Sequence, residues 1–327
     1  MRILVVKLSS LGDVVHTLPA VQDIVRAVPH ATIDWVVERG FAPLVQRCEG
    51  VRRVIPSELR RWRRALLAPA TRAEWSAFRS RLREVEYDAV IDLQGLTKSA
   101  VVSRVARVSR QGRRYAMANR TDGASYELPT RWVADVAVRV EPRIHAMTRA
   151  REICARALGY EVPADLRYGL SVHPPEKAGA KPCIALIHGS SRADKCWPEA
   201  SWAALAGRLV QQGFEVALPH GTDEELATSQ RLAARIGPAA TVWPRLSLDA
   251  LLDRMAGCAG AIGVDSGLSH IAVALGLAHV QIYNFDTAWR TGPLDTPHQA
   301  SVFARPTPVV PEVWDAWTRV GQSTIAR

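Results

Sequence analysis

Four short segments of this 327-residue sequence concentrate side chains able to bind or transform a charged ligand. In Lys7-Leu-Ser-Ser-Leu-Gly-Asp13, the polar turn of Ser9, Ser10 and Gly12 delivers a carboxylate, Asp13, to the start of an apolar-periodic stretch. That carboxylate has two readings: a general base for a hydroxyl, or a helix N-cap, for which Asp is strongly preferred. In His188-Gly-Ser-Ser-Arg-Ala-Asp-Lys195, the hydroxyls of Ser190 and Ser191 with the cations Arg192 and Lys195 make either a diphosphate clamp or a solvated loop. In Val264-Asp-Ser-Gly-Leu-Ser-His270, Gly267 permits close backbone approach, and a helix opening there offers free N–H groups to a phosphate. Asp265 would repel phosphate, so a hydroxyl or a nearby Lys is its expected partner. The bland alternative is a capped helix with His270 packed on its first turn. The fourth segment, Leu59-Arg-Arg-Trp-Arg-Arg64, suits bidentate phosphate recognition or a solvated charged face equally well.

Missing patterns narrow the chemistry. Neither a G-x-x-x-x-G-K-S/T loop nor a G-x-G-x-x-G fingerprint is present, which weighs against NTPase and dehydrogenase readings. D-x-D, the usual metal-holding motif of sugar-nucleotide enzymes, is also absent, so no metal and no cofactor are expected. The net charge of +10, carried mostly by arginine, calls for an anionic partner. No RNP-like, homeodomain or zinc-finger pattern accompanies it, so that partner is not expected to be nucleic acid. Cys48, Cys154, Cys183, Cys196 and Cys258 form no C-x-x-C pair and read as reduced structural residues. The longest apolar runs are far too short to span a bilayer, and the amino terminus reads straight into a strand, as expected of a cytoplasmic protein.

These loops need elements to hold them. Arg2 to Lys7, Thr32 to Val37, Arg53 to Ile55 and Ala89 to Asp92 read as strands, alternating with helical stretches at Val14 to Val28, Arg72 to Val85, Thr97 to Val108 and His145 to Leu158. Alternation restarts with strands at Cys183 to Ile187, Phe214 to Leu218, Thr241 to Trp243, Gly260 to Val264 and His279 to Tyr283, again separated by helices. The expectation is α/β: two doubly wound, Rossmann-like domains, at 1–160 and 183–327, joined by a proline-bearing linker at 161–182. The stretch after Val309 reads either as a helix returning to the first domain or as a loosely docked tail.

Six segments in order, KLSSLGDVVHTLPA, DWVVERGFA, RVIP with RRWR, YDAVIDLQGLTKSA, DKCWPEASW and VDSGLSHIAVAL, resemble the bacterial heptosyltransferases of lipopolysaccharide inner-core assembly. The likeness spans residues 1 to about 285 and is strongest to the branch that adds the first heptose. It implies the glycosyltransferase-B fold, with two domains facing a central cleft. The implied reaction is metal-free, inverting transfer of L-glycero-D-manno-heptose from ADP-heptose to Kdo of a Kdo-lipid A acceptor. The alternatives are heptosyltransferase II or another ADP-sugar transferase, and a non-catalytic nucleotide-binding protein.

The resemblance implies residue roles too. Asp13 falls on the catalytic base, and Lys195 on the cation at the donor diphosphate. Ser190, Ser191, Glu225, Asp265, Ser266, Gly267 and His270 fall on donor contacts, Glu225 meeting the ribose. Ser9, Ser10, Gly12, Arg60, Arg61 and Arg120 fall on the acceptor side. Family members often carry Thr where Ser190 and Ser191 stand, and Asn284-Phe-Asp-Thr replaces a usual Gly-Pro-Thr. With donor and acceptor motifs on different domains, catalysis is expected to need domain closure. The implied location is the inner face of the inner membrane, in peripheral contact with its anionic surface.

Overall fold

The computed structural model describes residues 1–65, 67–175, 181–294 and 296–325. The chain divides into two units, Met1–Ser171 and Val172–Arg327. The division falls inside the proline-bearing segment 161–182, of which 176–180 lie outside the described residues.

The first unit contains β1 (Arg2–Val6), β2 (Thr32–Glu38), β3 (Val51–Ser57), β4 (Glu86–Asp92), β5 (Arg107–Met117) and β6 (Val136–Val138). Its helices are α1 (Leu11–Val15), α2 (Leu18–Ala27), α3 (Ala42–Gln46), α4 (Leu59–Trp62), α5 (Pro69–Arg83), α6 (Thr97–Val105), α7 (Leu128–Val133) and α8 (Ala146–Leu158). The strands pair in parallel in the order β3-β2-β1-β4-β5-β6. Central β1 has helices on both faces, so Ile3 to Val6 are all apolar and fully buried rather than alternating. Behind the sheet, a buried Arg151–Asp23 pair at 2.6 Å ties α8 to α2. Removing either partner would leave an uncompensated buried charge, a loss of about 3–5 kcal/mol.

The second unit repeats this plan with β7 (Cys183–Ile187), β8 (Glu215–Leu218), β9 (Ala240–Val242), β10 (Gly260–Val264), β11 (Ala278–Tyr283) and β12 (Gln299–Phe303). Its helices are α9 (Glu199–Gln211), α10 (Asp223–Ile236), α11 (Leu248–Ala256), α12 (Gly267–Ala274), α13 (Ala288–Thr291) and α14 (Val310–Ile325). The order β12-β11-β10-β7-β8-β9 is the first unit's order, counted from the other edge. In each sheet the winding reverses between the first and fourth strands, β1/β4 and β7/β10. Ligands of open parallel sheets bind at the carboxyl ends of strands flanking such a switch point.

The sequence reading departs from the structure in several places: the helix read at Val14 to Val28 is split into α1 and α2, and β6 was not read. The helix expected through Val108 ends at Val105, and β5 follows as an arginine-rich strand. Edge strand β12 carries no apolar run long enough to announce itself. The stretch after Val309 is a regular helix, and Val313, Ala316, Trp317 and Val320 bury into the second unit's core against β11 and β12. None of the five cysteines is joined in a disulfide.

Candidate active site

At the first switch point, β1 and β4 build one polar loop cluster. Beyond the paired ends of the strands, Lys7 donates its ammonium to the Leu93 carbonyl at 3.0 Å, and Gln94 Oε1 accepts from the backbone N–H groups of Leu8 and Ser9. The β1 loop is thereby fixed to the β4 loop. Asp92 is buried and accepts from Gln94 N, Gly95 N and Ser99 Oγ. Burial nevertheless raises its pKa.

Ser10, not Asp13, is the N-cap of α1, and Asp13 sits three residues on in a capping box. Its Oδ2 accepts from Ser10 N at 3.0 Å and Ser10 Oγ at 2.9 Å, while Oδ1 lies 3.6 Å from the Lys7 ammonium. Desolvation pushes the Asp13 carboxyl up, but Lys7, the Ser10 hydrogen bonds and Arg149 outweigh it and hold it below its ordinary range. The side chain is 38% exposed, so this ionised carboxylate can reach a ligand. It borders a cavity of about 230 Å³ shared with Lys7, Asp92, Gln94, Met117 and Arg149.

Beside it, Ser9 Oγ accepts from two cations, Arg60 at 3.0 Å and Lys98 at 2.8 Å. A buried Glu38 oxygen lies 3.9 Å from each cation and makes no hydrogen bond. Gly12 is half-buried in α1, and Arg120 is exposed just beyond β5. Arg61 turns elsewhere, held by Glu58 and Glu74, the latter also accepting from Trp62 Nε1. The arginine run is thus divided: the structure brings Arg60 to Ser9 and leaves Arg61 in a surface ion-pair cluster. Sequence reasoning gave no role to Lys7, Glu38, Gln94, Lys98 or Arg149. The only local signal was the inclusion of Lys7, Glu38, Gln94 and Lys98 in the segments that carry the resemblance.

The second switch point joins the loops after β7 and β10. Lys195 Nζ lies 2.6 Å from Asp265 Oδ2, and His270 Nε2 is 3.4 Å from Oδ1 of the same carboxylate. Burial pushes the Asp265 carboxyl up; His270 and Lys195 together outweigh it and hold the group far below the usual range. Ser190 Oγ donates to the Asp265 carbonyl at 3.1 Å, while Ser191 is exposed next to it. Ser266 caps α12, whose first residue is Gly267, so the helix N-terminus opens at this loop. A side chain at Gly263 would collide with Ser269 Oγ, which explains how α12 lies so close to β10. Glu225 forms a capping box with Thr222 on α10 and packs against Gly189, where any Cβ would strike its carboxylate. The structure therefore gathers Ser190, Lys195, Glu225, Asp265, Ser266, Gly267 and His270 around the ends of β7, β8 and β10.

Asn284, in the departure from Gly-Pro-Thr, has a definite job. Its Nδ2 donates to the carbonyls of Asp194 and Cys196, and its Oδ1 accepts from Thr307 at 2.7 Å. The side chain staples the Lys195 loop to the end of β11. Among the described residues no group of three or more His, Cys, Asp or Glu is placed to hold a metal ion.

Twin doubly wound sheets with charged loops gathered at their switch points define a glycosyltransferase of the B-type architecture. The profile of glycosyltransferase family 9 (heptosyltransferase) matches residues 75–310, and the chain belongs to this family. It is 41% identical over 291 residues to lipopolysaccharide heptosyltransferase 1 of Pseudomonas aeruginosa, covering 86% of this chain and 78% of that protein. To lipopolysaccharide heptosyltransferase 2 of Escherichia coli K12 the identity is 26%, over 92% of this chain and 87% of that protein. The structure of Escherichia coli heptosyltransferase WaaC with ADP superimposes with a TM-score of 0.84 at 35% identity, covering 94% of each chain. The fold and family implied by the sequence are the ones found.

Proposed function

We propose that this enzyme transfers L-glycero-D-manno-heptose from ADP-heptose to a Kdo hydroxyl of a Kdo-lipid A precursor, inverting the anomeric centre. The observation that carries the chemistry is Asp13: an accessible carboxylate held ionised by Lys7 and aimed by Ser10. Greater likeness to a heptosyltransferase 1 than to a heptosyltransferase 2 supports Kdo as the acceptor. In one displacement, Asp13 takes the acceptor hydroxyl's proton, the oxygen bonds to the anomeric carbon, and the carbon–phosphate oxygen bond breaks to release ADP. Negative charge developing on the leaving diphosphate is met by Lys195 and by the N–H groups opening α12. Ser190, Ser191, Ser266 and His270 complete the donor pocket, with Glu225 on the ribose. No step calls for a metal.

The test is mass spectrometry of the acceptor after incubation with ADP-heptose and Kdo-lipid A in excess EDTA. A gain of one heptose is expected. No gain with or without Mg²⁺ would sink the transferase reading, and a gain only with Mg²⁺ would sink the metal-free one.

The arginines separate on the acceptor side. Arg60 and Lys98 converge on Ser9, so an anionic acceptor group there replaces a neutral hydroxyl as their partner. Arg60→Ala is expected to raise the acceptor KM about tenfold, the value of a hydrogen bond to a charged group. Arg61→Ala, which breaks only an exposed ion-pair cluster, is expected to change it far less. Equal effects in steady-state kinetics would reject this division. Among the described residues no helix is long and apolar enough to cross a membrane. We place the enzyme in the cytoplasm at the inner face of the inner membrane, where its lipid acceptor is reached from the surface; it takes no nucleic-acid partner.

A further inference from the structure

One flank of the first unit combines exposed apolar side chains with unpaired cations. Helix α5 packs on β3, α6 on β1 and β4, and α7 on β5, with α6 touching both neighbours, so the three form one layer. The outer side of that layer is unusual. Leu67, just before α5, is 91% exposed; Trp132 and Leu128, four residues apart on α7, are 77% and 63% exposed. Val101 stands outward on α6, one turn from Arg104.

The charge around them is mainly positive. Arg63, Arg64, Arg72 and Arg104 are exposed and have no ion-pair partner among the described residues. The nearby acids are already engaged: Glu74 by Arg61 and Trp62, Glu127 by the backbone N–H and hydroxyl of Thr97. Between α4, α5 and α6 lies a cavity of about 380 Å³ with apolar walls from Leu59, Trp62, Trp75 and Val101. Arg63, Arg72 and Lys98 line the same cavity.

From this pattern we infer that the outer face of α4 to α7 docks on an anionic phospholipid bilayer, with Leu67, Leu128 and Trp132 entering the interface and the unpaired arginines binding headgroup phosphates. A Trp and leucines ringed by arginine suit the boundary between acyl chains and headgroups. Charge complementarity selects the anionic surface, since four arginines without an ion-pair partner outweigh Glu127, the one acid named here that no cation neutralises. The recess behind Val101 admits the upper part of one lipid chain beneath a phosphate held by Arg63 and Arg72. The inference deepens the membrane location proposed above by assigning it a surface.

Sedimentation with phosphatidylcholine vesicles, with and without phosphatidylglycerol, tests it, using the full chain, Leu67→Gln/Trp132→Gln and Arg63→Gln/Arg72→Gln. The unaltered chain is expected to bind only the anionic vesicles. The apolar double variant should lose at least about tenfold in binding. The arginine variant should lose about twenty-five-fold, at roughly fivefold per arginine. Transfer to a deacylated, water-soluble acceptor should be unchanged in Leu67→Gln/Trp132→Gln, which shows that the variant folds. Full vesicle binding by that variant would overturn the assignment. So would a dimer of the unaltered chain that the variant dissociates, since the face would then belong to a second copy. Vesicle binding that follows the expected pattern without heptose transfer would reject the proposed reaction and leave the docking face standing.

Discussion

Asp13→Asn is expected to lower kcat by about 10² to 10⁴, the range for removing a positioned general base. Asparagine keeps the size of the side chain and an oxygen that can accept from Ser10, so α1 retains most of its capping box. Melting temperature and ADP-heptose affinity should therefore stay close to those of the parent. Turnover within a few-fold of the parent in a folded variant would sink the assignment. The pH profile gives an independent readout. Because Lys7 and Ser10 depress the folded pKa of Asp13, the base is ionised throughout the neutral range. Activity should be lost only as pH falls through that depressed value, so the acid limb of kcat/KM lies below the ordinary aspartate range. The same sign applies to stability: the contribution of the ionised carboxylate is complete above its unfolded pKa and disappears as pH falls through the folded one.

The second large effect is expected at Lys195. Lys195→Met removes the cation proposed for the leaving diphosphate, and a single electrostatic contact of that kind contributes about a hundredfold in kcat. It also leaves the buried Asp265 carboxylate without its lysine, beside His270, so the variant should be less stable as well as slower. These consequences can be separated. In Lys195→Met/Asp265→Asn the stranded charge is gone, and thermal stability should recover toward that of the parent. If kcat recovers with it, Lys195 serves only to neutralise Asp265. A double variant that is stable yet still about a hundredfold slow supports the leaving-group role.

Much of this arrangement was readable in advance, for identifiable reasons. The inner strands β1, β7 and β10 are covered on both faces and so appear as unbroken apolar runs, β4 shows a shorter one at Ala89 to Ile91, and β11 buries His279 and Gln281 among its apolar residues. Their terminal loops stand out because Asp265 follows its run directly, and Asp13 and Lys195 stand in the polar loops that follow theirs. Strand β5 was hidden by its arginines: its outer half is bordered only by three-residue β6, so water rather than a core sets its composition. The partners of Asp13 were hidden for a different reason. Lys7 meets Leu93, and Leu8 meets Gln94, across 86 residues of sequence, because β1 and β4 are neighbours only after the sheet has wound back on itself. No local spacing encodes that pairing. Likewise nothing within the arginine run distinguishes Arg60 from Arg61; the acids at positions 58 and 74 make the choice.

The shared strand order of the two sheets bears on how such an enzyme can change over generations. Each unit closes its own core, and each carries its ligand loops at its own reversal of winding. Under the division of labour proposed above, substitutions that retune which sugar nucleotide is accepted would fall in the later half of the chain, and those that redirect the sugar to another lipid in the earlier half. Recombination near the proline-bearing segment would then trade one specificity while keeping the other.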